Sequence, residues 1–221
     1  MTNTPQLIDA LVECATPVRR LRPPLVRAGL WLGFAVLVLA LLAIGHGARA
    51  DLAERLHQPV FAMGVAAALA TGILAAVAAF VVSLPDRSQW WLLLPAPALA
   101  VWVGTIGYGC LTDWVSIGPD GFHTGETLRC FATLVLTSVP LAIALAVMLR
   151  YAARLRPGAV CLAGALAVAA ITASALSLLH GLDATVMILV WNLGVAALIT
   201  GLGSVFGRRV LRRTESHLMV S

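Results

Sequence analysis

Charge is scarce in this sequence: 11% of its 221 residues are charged, against 60% hydrophobic, and the mean hydropathy is +0.94. A soluble domain of this length still exposes a large surface to water and cannot hide that much apolar area. Lysine is absent, and all fifteen basic residues are arginine, which we read as the mark of a GC-rich coding sequence. The high isoelectric point, near 9.7, comes without aromatic residues interleaved among the arginines, so direct nucleic-acid binding is not expected. Cys-x-x-Cys pairs are also missing, which counts against thiol–disulfide exchange, and the lack of any nucleophile–base constellation leaves hydrolase chemistry without support. The apolar stretches do not alternate with polar residues, which argues against a membrane β-barrel.

What is present is a series of continuous apolar runs, several of them reaching the ~20 residues that cross a bilayer. Six spans are expected, at Val26–Ile44, Pro59–Ser83, Gln89–Gly109, Cys130–Leu149, Gly158–Leu179 and Ala184–Phe206. Helices are the expected form, because a helix satisfies every backbone polar group within its own segment. Few ionisable groups fall inside the runs, and neither paired broken helices nor a repeated half is evident, so ion-coupled transport is disfavoured. Small residues recur at every fourth position of the second run, at Gly64, Ala68, Gly72 and Ala76, a stripe that lets a neighbouring helix approach closely.

The arginines set the expected orientation. Arg19, Arg20, Arg22 and Arg27 precede or open the first span, Arg87 follows the second, and Arg150, Arg154 and Arg156 follow the fourth. Arg208, Arg209, Arg212 and Arg213 follow the sixth, while Arg49, Arg55 and Arg129 fall on the opposite side. Twelve against three places both termini in the cytoplasm by the positive-inside rule. The chain then divides into a cytoplasmic arm (1–25), a six-helix membrane domain (26–207) and a basic cytoplasmic tail (208–221). The Ala48–Ala50 "ARA" triplet resembles a signal-peptide cleavage site. The long leading region with Asp9 and Glu13 argues against cleavage there.

The arm carries its own pattern. Thr4 can cap a helix opened by Pro5 and ended before Pro17, giving a candidate helix over residues 4–16. Leu7, Ile8, Leu11 and Val12 share one face with Cys14 and Ala15, and Gln6, Asp9 and Glu13 share the other. So short a helix is marginal alone in water, and its apolar face needs cover from the membrane surface, the bundle or a partner's groove. The acidic residues on its polar face argue against the membrane surface, where basic residues are usual.

On the opposite side, "GCLTDWVSIGPDGFHTGETLRC" joins the third and fourth spans, with Cys110 at the end of one and Cys130 at the start of the other. A disulfide needs Cα atoms within about 7 Å, and an oxidising compartment favours it; a structural bond and two inert interfacial thiols are both open. His123, His180, Asp113 and Asp183 fall on the same side and are candidate accessory ligands for a transition metal, though their spacing is scattered; no cofactor is otherwise expected. Trp114, Trp90 and Trp91 fall near span ends, where indoles favour the interface. Trp102, Trp191 and Cys161 read as packing residues.

Several stretches, taken together and in order, resemble the NrsF-like family of negative regulators of sigma-F. They are "ATPVRRLRPPLVRAGLWL", "SLPDRSQWWLLLPAPALAVW", "GCLTDWVSIGPDG" with the later Cys130, and "LLHGLDATVMILVWNLG". The resemblance covers nearly the whole chain and implies a multi-pass inner-membrane anti-sigma factor. Its cytoplasmic arm would hold an extracytoplasmic-function sigma factor until a signal outside releases it. Leu7, Ile8, Leu11 and Val12 are then the candidate sigma contacts, and Cys110 and Cys130 gain a third reading, as sensors of oxidant or metal. In many relatives a cysteine follows the histidine of the last stretch, whereas Gly181 follows His180 here. A non-enzymatic regulator bound to the bilayer and a sigma factor is the expected function. A membrane thiol–disulfide oxidoreductase and a small-molecule exporter are the alternatives.

Overall fold

The computed structural model describes residues 22–47, 51–113, 124–149 and 157–179, together with Thr4, Asp9, Val12 and Glu13 of the arm. Every regular element among these residues is helical, and five helices are long and apolar enough to cross a membrane. The expected sixth span at Ala184–Phe206, and the basic tail with Arg208 and Arg209, lie outside the described residues.

Prolines mark where the helices begin. Helix α1 (Pro24–His46) follows Pro23, held extended at φ −49° and ψ 143°, with Pro24 in the first turn, where a missing N–H costs nothing. It ends at Gly47, whose φ of 77° is open to glycine at little cost. The Gly47 N–H donates to the Ala43 carbonyl at 3.0 Å. A short helix α2 (Leu52–Leu56) carries an Asp51–Arg55 ion pair at 3.4 Å. Helix α3 (Pro59–Val82) again starts on a proline.

The third expected span is present, at Gln89–Tyr108, but it is built from two pieces. Instead of a single helix from Gln89, a 3-10 turn (Gln89–Leu93) precedes α4 (Ala96–Asp113). Pro95 and Pro97 supply no N–H, so a helix running through them would lose hydrogen bonds, whereas prolines in a first turn are tolerated. Helices α5 (Thr124–Leu149) and α6 (Pro157–Leu179) complete the described part. Because α4 continues to Asp113 and α5 begins at Thr124, Cys110 and Cys130 stand within helices, and only residues 114–123 separate the two.

Contacts between helices fix their directions. Arg27, in the first turn of α1, meets Phe80 near the end of α3 and Met148 near the end of α5. Gly64, early in α3, faces Thr105, late in α4, and Gly72 faces Ile171 of α6. Successive long helices therefore run in alternating directions between an arm end, where α1 starts, and a far end. Helices α3 and α6 form the centre, α4 rests on α3, and α1 and α5 close the other side. The small-residue stripe of α3 is used for packing as expected: Ala68 and Ala76 are buried, and Gly64 and Gly72 face neighbouring helices.

The polarity is that of a membrane protein. The centre is filled by small residues such as Ala75, Ala76, Ala78 and Ala79, while Leu37, Leu41 and Ile44 of α1 and Ile143 of α5 point outward, Ile44 being 83% exposed. Bulky aliphatic side chains on the outside and alanine within are unfavourable in water but suit a hydrocarbon solvent, where close helix approach replaces hydrophobic burial as the driving force.

Candidate functional site at the arm end of the bundle

Four residues of the arm are described, and all four are helical and exposed: Thr4, Asp9, Val12 and Glu13. Thr4 belongs to the helix itself, one residue earlier than a cap at that position requires. Val12, expected on the apolar face, is 68% exposed, so the bundle does not cover it. Leu7, Ile8 and Leu11 lie outside the described residues, as do Arg19 and Arg20; Arg22 is described and exposed.

Immediately after the arm, α1 is bound tightly to its neighbours through Arg27, which the sequence pattern marks only as a topology signal, and Trp31. Arg27 is only 6% exposed. Its guanidinium carbon lies 5.1 Å from the centroid of the Phe80 ring, within the range of a cation–π contact. Its Nη2 donates to the Met148 carbonyl, one of the last carbonyls of α5, which have no partner within their own helix. A cation at that terminus also meets the negative end of the helix dipole. Nη1 has no hydrogen-bond partner. Arg27 thus counts as more than a topology marker: a charge buried at a helix junction is costly unless neighbouring dipoles and rings compensate it.

One turn further along α1, Trp31 is fully buried and its Nε1 donates to the Leu141 carbonyl at 3.1 Å. Leu141 directly follows Pro140, which stands inside α5. Arg27, Ala28, Trp31 and Ala35 form one stripe at helical spacing, and beyond Ala35 no described residue of α1 is buried. Alanine at 28 and 35 lets α3 and α5 come close enough for the two long donors to reach across. The available signal was Arg-x-x-x-Trp on a small-residue face at the start of an apolar run.

The other expected site residues are not brought into view as a cluster. The side chains of Cys110, Asp113, His123 and Cys130 lie outside the described residues, as do His180, Asp183, Arg150, Arg154 and Arg156. Among the described residues no group of three His, Cys, Asp or Glu side chains could hold a metal. The helices bearing the two cysteines rest on different neighbours, α4 on α3 and α5 on α6 and α1. Among the described residues, adjacency in sequence therefore does not make them packing partners. Trp90 and Trp91 stand exposed in the 3-10 turn before α4, capped by Ser88, whose Oγ accepts from the Trp90 N–H at 3.3 Å. Trp102 and Cys161 are half-buried.

The described residues form an all-helical bundle of membrane-spanning polarity, with four exposed helical residues of the arm ahead of a tightly held first helix. Comparison with known families makes this specific: residues 11–212 match NrsF, described as negative regulator of sigma F, and the chain belongs to that family. No curated protein and no solved structure matches it.

Proposed function

We propose that the protein is an anti-sigma factor of the inner membrane, with both termini cytoplasmic, that sequesters an extracytoplasmic-function sigma factor through its arm. The family match supports the regulatory role and the sigma partner. The observation that carries the arm assignment is the exposure of Val12 at 68%. An amphipathic helix with an exposed apolar residue can present i, i+3, i+4 anchors to a groove on a partner. Leu7, Ile8, Leu11 and Val12 supply those anchors, and no enzymatic step is needed. Deleting Thr4 to Pro17 from the full chain is expected to abolish capture of the sigma factor from solubilised membranes while leaving membrane insertion intact. Undiminished capture by the deletion variant would overturn the assignment.

Release answers a signal at the opposite face, where Cys110 and Cys130 flank the connection between α4 and α5. Thiols of this kind respond to oxidant or to a thiophilic metal when they reach their thiolate form. Replacing either by serine is expected to shift the dose of oxidant or metal that induces the sigma-dependent genes. An unchanged dose response in both single variants removes the thiols from signalling.

A further inference from the structure

Two side-chain bonds tie α1 to α5, and both acceptors lie on the same side of a proline that stands inside the continuous helix. Arg27 donates to the Met148 carbonyl and Trp31 to the Leu141 carbonyl. Pro140, one residue before Leu141, separates them from the first half of α5, which starts at Thr124 at the far end of the bundle. Proline removes an internal hydrogen bond and crowds the preceding turn, so a helix bends most readily there. Helix α1 also packs on α3, but its buried stripe ends at Ala35 and its second half presents Val36, Leu37, Leu41 and Ile44 outward among the described residues. Helix α4, the other flank of the far-end connection, rests on α3 and makes no comparable contact with α1.

We infer that α5 is the lever that couples the far end of the bundle to the arm: its segment beyond Pro140 grips the base of α1 through Trp31 and Arg27, so a change in its bend repositions the residues from which the arm emerges. Met148 lies eight residues beyond Pro140, roughly 12 Å along the axis, so a bend of about 20° moves it by roughly 4 Å. Arg27 and Phe80 follow that movement at the arm end, because the guanidinium is held by the Met148 carbonyl on one side and the ring on the other. The inference rests on the arm being the partner-binding element only for its consequence, release of the partner. The coupling itself is a property of the bundle.

The test is a cycle of two substitutions read by distance in the full chain, reconstituted in lipid nanodiscs. Spin labels are placed at positions 22 and 88, both exposed, through unnatural amino acids so that the native cysteines stay. Pro140→Ala is expected to shift the label-to-label distance by about 2–5 Å. Trp31→Phe, which keeps most of the ring and removes the N–H, combined with Arg27→Gln, is expected to abolish that shift. Where Pro140→Ala does not accumulate in the membrane, Val139→Gly, on the exposed side of the same turn, takes its place. An unchanged distance in both proline-region variants overturns the lever, and so does an equal shift with and without the two donors. Sigma capture is measured on the same samples. A distance shift with unaltered capture leaves the lever standing and counts against the arm as binding element.

Discussion

A Cβ built on Gly72 of α3 would lie 2.8 Å from both Cγ1 and Cδ1 of Ile171 on α6, and 3.3 Å from its backbone nitrogen. The two central helices therefore touch almost backbone to backbone at their middles. Glycine is required there by the neighbour, since the helix itself would favour alanine. The neighbour is also stiff, because a β-branched side chain in a helix has essentially one rotamer.

Gly72→Ala is accordingly expected to destabilise the bundle by about 1–3 kcal/mol, measured by unfolding in mixed micelles. Ile171→Ala in the same chain should recover part of the loss by opening space. Gly164→Ala is the comparison: its new methyl would meet Leu145, with Cδ2 at 2.7 Å and Cγ at 3.8 Å, and a leucine end can turn away. Its cost should be the smaller of the two.

Trp31 offers a second measurement that separates a hydrogen bond from packing. Trp31→Phe removes the donor to Leu141 and should cost about 1 kcal/mol, in the range of interhelical bonds in membranes. Trp31→Ala leaves a cavity in a fully buried site and should cost about 3–5 kcal/mol. Equal losses in the two variants would mean that the Leu141 bond dominates.

The buried arginine should resist conservative exchange. Arg27→Lys keeps the charge, but a compact ammonium on a flexible stem cannot stack on Phe80 as a planar guanidinium does. Phe80→Leu removes the ring from beneath it, with about 0.5–2 kcal/mol at stake in the cation–π contact beyond the lost packing. The two losses should be strongly non-additive in a double-mutant cycle. Simple additivity would mean that charge and ring are independent.

Arm and bundle should be separable in energy. Val12→Asp puts a charge on a residue that the bundle leaves open, so thermal stability should stay within about 0.5 kcal/mol of the parent. Affinity for the sigma factor should fall about tenfold or more, the loss of one apolar anchor in a groove. Competitive capture with purified sigma factor checks the second value, and thermal unfolding the first.

Much of the fold was legible because a bilayer demands long uninterrupted apolar runs, and their prolines and glycines mark the ends. The spans expected from Val26, Pro59 and Gly158, whose helices start at Pro24, Pro59 and Pro157, and the packing stripe of α3 follow from such local signals. The third span was legible from its start at Gln89; its division into a 3-10 turn and an α-helix was not, because hydropathy does not register the N–H groups that Pro95 and Pro97 lack. Hydropathy also did not show how far the helices bearing the thiols run: a helix extends past its apolar stretch when its polar continuation, such as Leu111 to Asp113 or Thr124 to Arg129, keeps helical backbone bonds. The arm's amphipathic pattern was evident, whereas Arg27 hid among the arginines that mark topology.

Sequence by itself determined that this is a helical protein of membrane polarity, with its arginines clustered at alternate connections and an amphipathic arm ahead of the first span. These properties belong to single segments and to the solvent each must meet. Only the tertiary structure decided that α3 and α6 form the centre, that Gly72 answers to Ile171, and that α1 is held by α5 through Arg27 and Trp31. In an apolar chain nearly every face is chemically alike, so which helices meet is settled by shape and by a few interhelical hydrogen bonds. Their partners lie more than a hundred residues apart, at Arg27 with Met148 and Trp31 with Leu141.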